Sequence, residues 1–143
     1  MDGSVAAVFL PHRSTKLSRP LLLWRISAGF PSPAEDYVEG RIDLNRDLIK
    51  HALATFYIRV AGDSMAPRIQ PGALLLVDRM METKDDDIII ARIGDELCVK
   101  RLHIEPDGGI WLLSENEAYA PIEITEHMDF EVWGRVMHSI QSY

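Results

Sequence analysis

A mainly β domain with an extended N-terminal arm and short helices is the fold class this sequence predicts. Three observations predict it. From Thr55 onward, short apolar runs recur at close spacing with Gly, Pro and Asp between them, the pattern of many short strands joined by tight turns. Before that, Pro11, Pro20, Pro31 and Pro33 interrupt every long periodicity. The 143 residues, 47% hydrophobic and 26% charged, suit one globular domain carrying a tail.

Taken in order, residues 1–31 predict an arm without regular elements. Within it, Leu21-Leu22-Leu23-Trp24 is too apolar to remain in water and is expected to dock on the body or on a partner. In Ile26-Ser27-Ala28-Gly29-Phe30-Pro31, small residues between larger apolar ones suit a narrow peptidase cleft, because Ala and Gly let the backbone approach a nucleophile closely. Ser32-Pro33-Ala34-Glu35-Asp36 predicts a helix start, with Ser32 as cap, Pro33 in the first turn and two acids at the positive end of the dipole. A second helical piece is predicted from near Asp43, with Leu44, Leu48 and Ile49 on one side. Strands are predicted over 56–61, 73–78, 88–93, 97–102, 110–113 and 130–140, the last bent at Gly134. The turns between them are marked by Gly62, Pro71-Gly72, Gly94-Asp95 and Pro106-Asp107-Gly108-Gly109.

Charge and composition exclude several function classes. The formal net charge is −7, split as +3 over residues 1–28 and −10 over residues 29–143. An acidic body is repelled by phosphate backbones, so direct sequence-specific DNA binding is not expected. The basic arm is expected to lie on the acidic body. One cysteine, Cys98, excludes an intrachain disulfide framework and fits a reducing compartment. No apolar run approaches the ~20 residues of a membrane helix, and Met1-Asp2-Gly3-Ser4 lacks the basic start of a secretion signal, so the expected location is the cytoplasm. His103, His127 and His138 lack metal-ligand spacing, Asp85-Asp86-Asp87 predicts a solvated turn, and no phosphate-binding glycine loop is present. Neither a metal nor a cofactor is expected.

The residues with chemical potential are Ser64, on the turn Gly62-Asp63-Ser64-Met65-Ala66-Pro67, and Lys100, 36 positions later in a strand-like run. A serine needs a base to become a nucleophile. None of the five histidines lies in a recognisable triad motif, although sequence spacing does not exclude a triad. A lysine serves as base once it is neutral, which desolvation favours. On a period-2 strand Lys100 shares a face with Cys98 and Leu102, an apolar setting, while Arg101 points the other way and is expected to stay solvated. Taken singly, Ser64 also fits an ordinary turn residue and Lys100 a solvated edge charge.

Gly62-Asp63-Ser64-Met65, Val99-Lys100-Arg101-Leu102 and the upstream Ala28-Gly29-Phe30-Pro31 occur together and in one order. Jointly they resemble the LexA/UmuD family of self-cleaving SOS-response proteins. Gly29-Phe30-Pro31-Ser32-Pro33-Ala34-Glu35-Asp36-Tyr37-Val38-Glu39 and Arg41-Ile42-Asp43-Leu44-Asn45 are especially similar to the UmuD branch, the accessory subunits of error-prone DNA polymerase V. The resemblance implies a compact LexA-like, β-clip Ser–Lys peptidase domain over residues 29–143 and an arm over residues 1–28 that self-cleavage removes. It implies Ser64 as nucleophile, Lys100 as general base, Ala28-Gly29 as the scissile pair, and the backbone amides of Asp63 and Ser64 as oxyanion donors. It further implies a homodimer, stimulation by the RecA–single-stranded DNA filament, and assembly of the shortened form with a UmuC-like catalytic subunit of a Y-family translesion polymerase.

Three positions depart from the family pattern. The Ser64-to-Lys100 spacing is one residue short, Ala73 stands where Asp is common, and Asp86 stands where Gly is common. Only 28 residues precede Gly29, so a helix-turn-helix domain there is not expected. The alternative reading is a non-catalytic or repressor-like regulator of the same family, acting by protein–protein interaction.

Overall fold

The computed structural model describes residues 3–10, 19–22 and 38–143. Ten strands alternate with little helix: β1 (Val5–Phe9), β2 (Arg19–Leu22), β3 (Val38–Ile42), α1 (Leu44–Asp47), β4 (Thr55–Val60), β5 (Leu74–Asp78), β6 (Ile88–Ile93), β7 (Glu96–Ile104), β8 (Ile110–Leu113), β9 (Ile122–Ile124) and β10 (Phe130–Ile140). Eight form one sheet in the order β1-β4-β5-β10-β6-β7-β8-β9, and β2 pairs with β3 separately. Every pairing is antiparallel. The sheet curls, because Ser4, just before the edge strand β1, bridges to Cys98 on β7, five places away in that order.

The mainly β expectation holds, and the six predicted strands are present. Four further strands in the described part come from segments with weak sequence signals. Val5–Phe9 and Arg19–Leu22 belong to the arm, Val38–Ile42 pairs with the latter, and Ile122–Ile124 has only three residues. The helical piece near Asp43 shrinks to one turn. Asp43 caps it, its carboxylate accepting from Asn45 N–H at 3.1 Å while its own N–H donates to Asp47 at 2.7 Å. Leu44 stays exposed, so no apolar face extends the helix further. The helix start predicted at Ser32 lies outside the described residues.

Burial follows the pleat. Ile90 and Val99 join Phe56, Ile58, Val60, Met65, Ile69, Ala73, Leu75 and Val77 in one core. Their neighbours Ile89, Ala91, Cys98, Leu102 and Leu112 form a second core. Alternate residues of β6 and β7 thus face two interiors, which is why these strands read as nearly continuous apolar runs. Asp87 is buried rather than solvated, accepting from Lys84 N–H at 2.9 Å. Asp86 has φ 75°, and no other described non-glycine residue has a positive φ, which explains physically why glycine suits that position.

The bend in β10 falls at Gly134. Its pairing with β6 shifts between Val132 and Gly134, and its pairing with β5 shifts between Val136 and His138. A Cβ on Gly134 would lie 2.8 Å from Val77 Cγ1 and 3.0 Å from the Asp78 carbonyl oxygen. Gly134→Ala is therefore expected to destabilise the fold by about 1–3 kcal/mol, read as a lower denaturant midpoint with an unchanged slope.

Candidate active site

Ser64 lies in the compact turn after β4. Ala66 N–H donates to Asp63 O at 3.1 Å, and Ile69 N–H to Met65 O at 2.8 Å. The buried side chains of Met65 and Ile69 pin this turn to the first core. Ser64 itself is 0% exposed, and its Oγ has no hydrogen-bond partner among the described residues. A buried hydroxyl left unpaired costs roughly 1–3 kcal/mol, and such orphaned groups are rare enough in folded proteins to call for a reason. Among the described residues, no histidine bonds to it. His51 is engaged elsewhere, with Nδ1 2.6 Å from the buried Asp78 carboxylate.

Lys100 is 1% exposed in the middle of β7. Its Nζ donates to Ser114 Oγ at 2.6 Å. The register explains this contact. Arg101 pairs with Leu113 and Leu102 with Leu112, so one further step brings Ser114 opposite Lys100, on the same face of the sheet. Nζ also sits 5.4 Å from the centroid of the Tyr119 ring. Cys98, on the same face, is a packing residue, and burial pushes its thiol pKa up while the neighbouring Lys100 opposes that shift.

The segment after β8 ties the serine turn to the lysine. Asn116 N–H donates to Ser64 O at 2.9 Å, and Asn116 Nδ2 donates to Asp63 O at 3.2 Å. Tyr119, whose ring faces Lys100 Nζ, donates its hydroxyl to Asp63 Oδ1. The turn and the strand therefore share one structural partner. They also meet across Gly3. Val99 N–H donates to Gly3 O at 2.9 Å, and a Cβ on Gly3 would lie 2.8 Å from Ser64 Oγ.

Of the sequence-derived site residues, Asp63, Ser64 and Lys100 come together in this way, and Ala28 and Gly29 lie outside the described residues. Arg101 differs from expectation. It is mostly buried and donates to Glu115 and to Asp86 O, the latter at 2.7 Å, because Glu115 follows Ser114 across the sheet. Ser114, Asn116, Tyr119 and Gly3 were not singled out by sequence. For the first three the only signal is the turn-like composition after β8, and for Gly3 there is none; neither register nor tertiary contact is visible in composition. Since Lys100 carries an amine into an apolar interior, Lys100→Met is expected to raise stability, by about 1 kcal/mol or more, in chemical denaturation.

The peptidase S24-like family profile matches residues 20–137. Protein MucA of Salmonella typhimurium is 37% identical over 124 residues, 86% of this chain and 84% of its own. Protein ImpA of the same species is 40% identical over 129 residues, covering 90% and 89%. A LexA repressor of Shewanella denitrificans is 36% identical over 127 residues, 87% of this chain but 60% of the repressor. Among the described residues, no helix is long and apolar enough to cross a membrane.

Proposed function

The chain belongs to the peptidase S24-like family, and on that premise we propose that it is a self-cleaving serine peptidase of the UmuD type. The observation that carries this reading is the pairing of a buried, unpartnered Ser64 hydroxyl with a buried Lys100 amine across the same short segment. A lone serine of this kind is an orphan, and a lone buried lysine is a cost. Together they form a nucleophile and a base.

In the proposed reaction, neutral Lys100 takes the proton from Ser64 Oγ as the oxygen attacks the carbonyl carbon of Ala28. The backbone amides of Asp63 and Ser64 receive the oxyanion. Lys100 then returns the proton to the amide nitrogen of Gly29, the Ala28-Gly29 bond breaks, and residues 1–28 remain as an ester on Ser64. Water, deprotonated by Lys100, hydrolyses that ester and restores the hydroxyl. Ser114 holds the amine in place during the cycle. Because the arm carries the substrate, its effective concentration is high without tight binding.

The relatives support the wider setting of this reading. The shortened form acts as a homodimer in SOS mutagenesis, as accessory subunit to a UmuC-like catalytic subunit of a Y-family translesion polymerase. Cleavage is stimulated in the cytoplasm by the RecA–single-stranded DNA filament. The chemistry at Ser64 is thus a single-use switch on the chain's own arm.

Cleavage without an activator is expected to rise with pH, as the fraction of neutral amine grows. Mass spectrometry of purified protein held at alkaline pH checks this by the appearance of a fragment beginning at Gly29. Ser64→Ala is expected to abolish that fragment and Lys100→Ala to slow it by about 10²–10⁴-fold. Unchanged processing in either variant would point to an external protease. No fragment at alkaline pH, with or without RecA filaments, would leave the regulator without peptidase activity as the surviving reading. Ser114→Ala is expected to slow cleavage about tenfold in the same assay, with far-UV circular dichroism unchanged.

A further inference from the structure

Gly3 occupies the mouth of the site in a way that the sequence pattern alone does not suggest. It is buried, and its carbonyl accepts from Val99 N–H at 2.9 Å. The next residue, Ser4, bridges to Cys98 and accepts from Ala61 N–H at 2.9 Å. The chain then continues as β1 along the free side of β4, pairing Val5 with Val60 and Phe9 with Tyr57. Residues 3–9 therefore run as one extended segment: Gly3 and Ser4 join the end of β4 to the centre of β7, with Gly3 directly over Ser64, and residues 5–9 continue along β4. This is the geometry by which an extended peptide is held through main-chain hydrogen bonds.

The position over Ser64 is closed to side chains. A Cβ on Gly3 would lie 2.7 Å from Val99 O, 2.8 Å from Ser64 Oγ and 3.1 Å from Val99 N. Two of these are backbone atoms of a central strand, which cannot yield cheaply. Glycine alone fits. Within residues 1–29 there are two glycines, Gly3 and Gly29. One is seated over the serine, and the other flanks the proposed scissile bond.

We propose that residues 3–9 are a resident strand in the peptide track of the cleft, a glycine-keyed cover that must leave before Ser64 is accessible. The cover is built to leave. Of β1, only Val5 packs on the core, while Ala6, Val8 and Phe9 are exposed, as is Leu10 beyond it. Few apolar contacts and an edge position mark a segment that opens locally at low cost. Gly3 and Gly29 are then alternative occupants of one position. The part of the proposal that concerns Gly29 rests on the self-cleavage reading, whereas the cover over Ser64 does not.

The test uses the full chain carrying Ser64→Cys, with the unmodified chain reporting the background from buried Cys98. Iodoacetamide alkylation of the new thiol is followed by mass spectrometry, and hydrogen exchange is followed at the amides of Ala61 and Val99. Adding Gly3→Val, or separately deleting residues 1–9, is expected to raise alkylation at position 64 at least tenfold and to remove protection from both amides. Unchanged alkylation and protection in both variants would overturn the proposal. So would alkylation at the full rate in the parent Ser64→Cys chain. In the serine-containing chain, Gly3→Val is expected to hasten the appearance of the Gly29 fragment. If position 64 opens but no fragment ever forms, the cover stands and the peptidase reading falls.

Discussion

The structure depends on keeping the amine of Lys100 out of water. A lysine at 1% exposure is an expensive residue, because the interior offers its ammonium no solvation and every neighbouring apolar group makes matters worse. Its Nζ donates to the hydroxyl of Ser114 at 2.6 Å and faces the ring of Tyr119. Arg101, one residue along and on the other side of the strand, takes the carboxylate Glu115. A buried amine close to a buried, unbonded serine hydroxyl is an arrangement shaped for chemistry rather than for stability.

The parts around the amine differ in stiffness. The serine turn is fixed from beneath by Met65 and Ile69 and from the side by Asn116. β7 is paired on both edges, by β6 and β8. These elements set the positions of the reacting groups and have little freedom. β1 is the opposite, an edge strand held mainly by main-chain hydrogen bonds and one apolar side chain. Rigid chemistry beneath a weakly held strand suits a reaction that has to wait, since access can be changed without rebuilding the site.

Sequence reading succeeded where local pattern and long-range packing agree. The runs that became β4 to β8 and β10 are apolar because they face one or both of two cores, and the bend of β10 was legible because Gly134 interrupts an otherwise continuous run. Ser64 and Lys100 were legible as a pair only through their company. What was not legible depended on register or on contacts across the fold. Ser114 matters because it stands opposite Lys100, one step past the Arg101–Leu113 pair, and nothing local distinguishes it from any serine in a turn. Arg101 was misjudged for the same reason, since its partner Glu115 is supplied by that register. β1 was missed because the alternation in Val5–Phe9 is short and mostly exposed, so its pairing is decided by the edge of β4 rather than by its own composition.

The topology gives the proposed cleavage a direction. β1 and β2 both precede Gly29 in the chain, so a cut there turns the strand at the edge of the main sheet into part of a separate peptide. While the arm is attached, β1 returns to the β4 edge as an intramolecular event. Once released, it must compete by its own affinity, and one half-buried valine with a few main-chain bonds supplies little. The cover is then lost by dilution, and β4 becomes the new edge, with the N–H and C=O groups that β1 had used open to another strand. Arg59, exposed on β4 and bonded to Gly72 O at 2.8 Å, places a charge on that edge and limits indiscriminate pairing. Reversal would require both religation and re-docking, so the same weakness that lets β1 uncover Ser64 also makes the shortened form the end state.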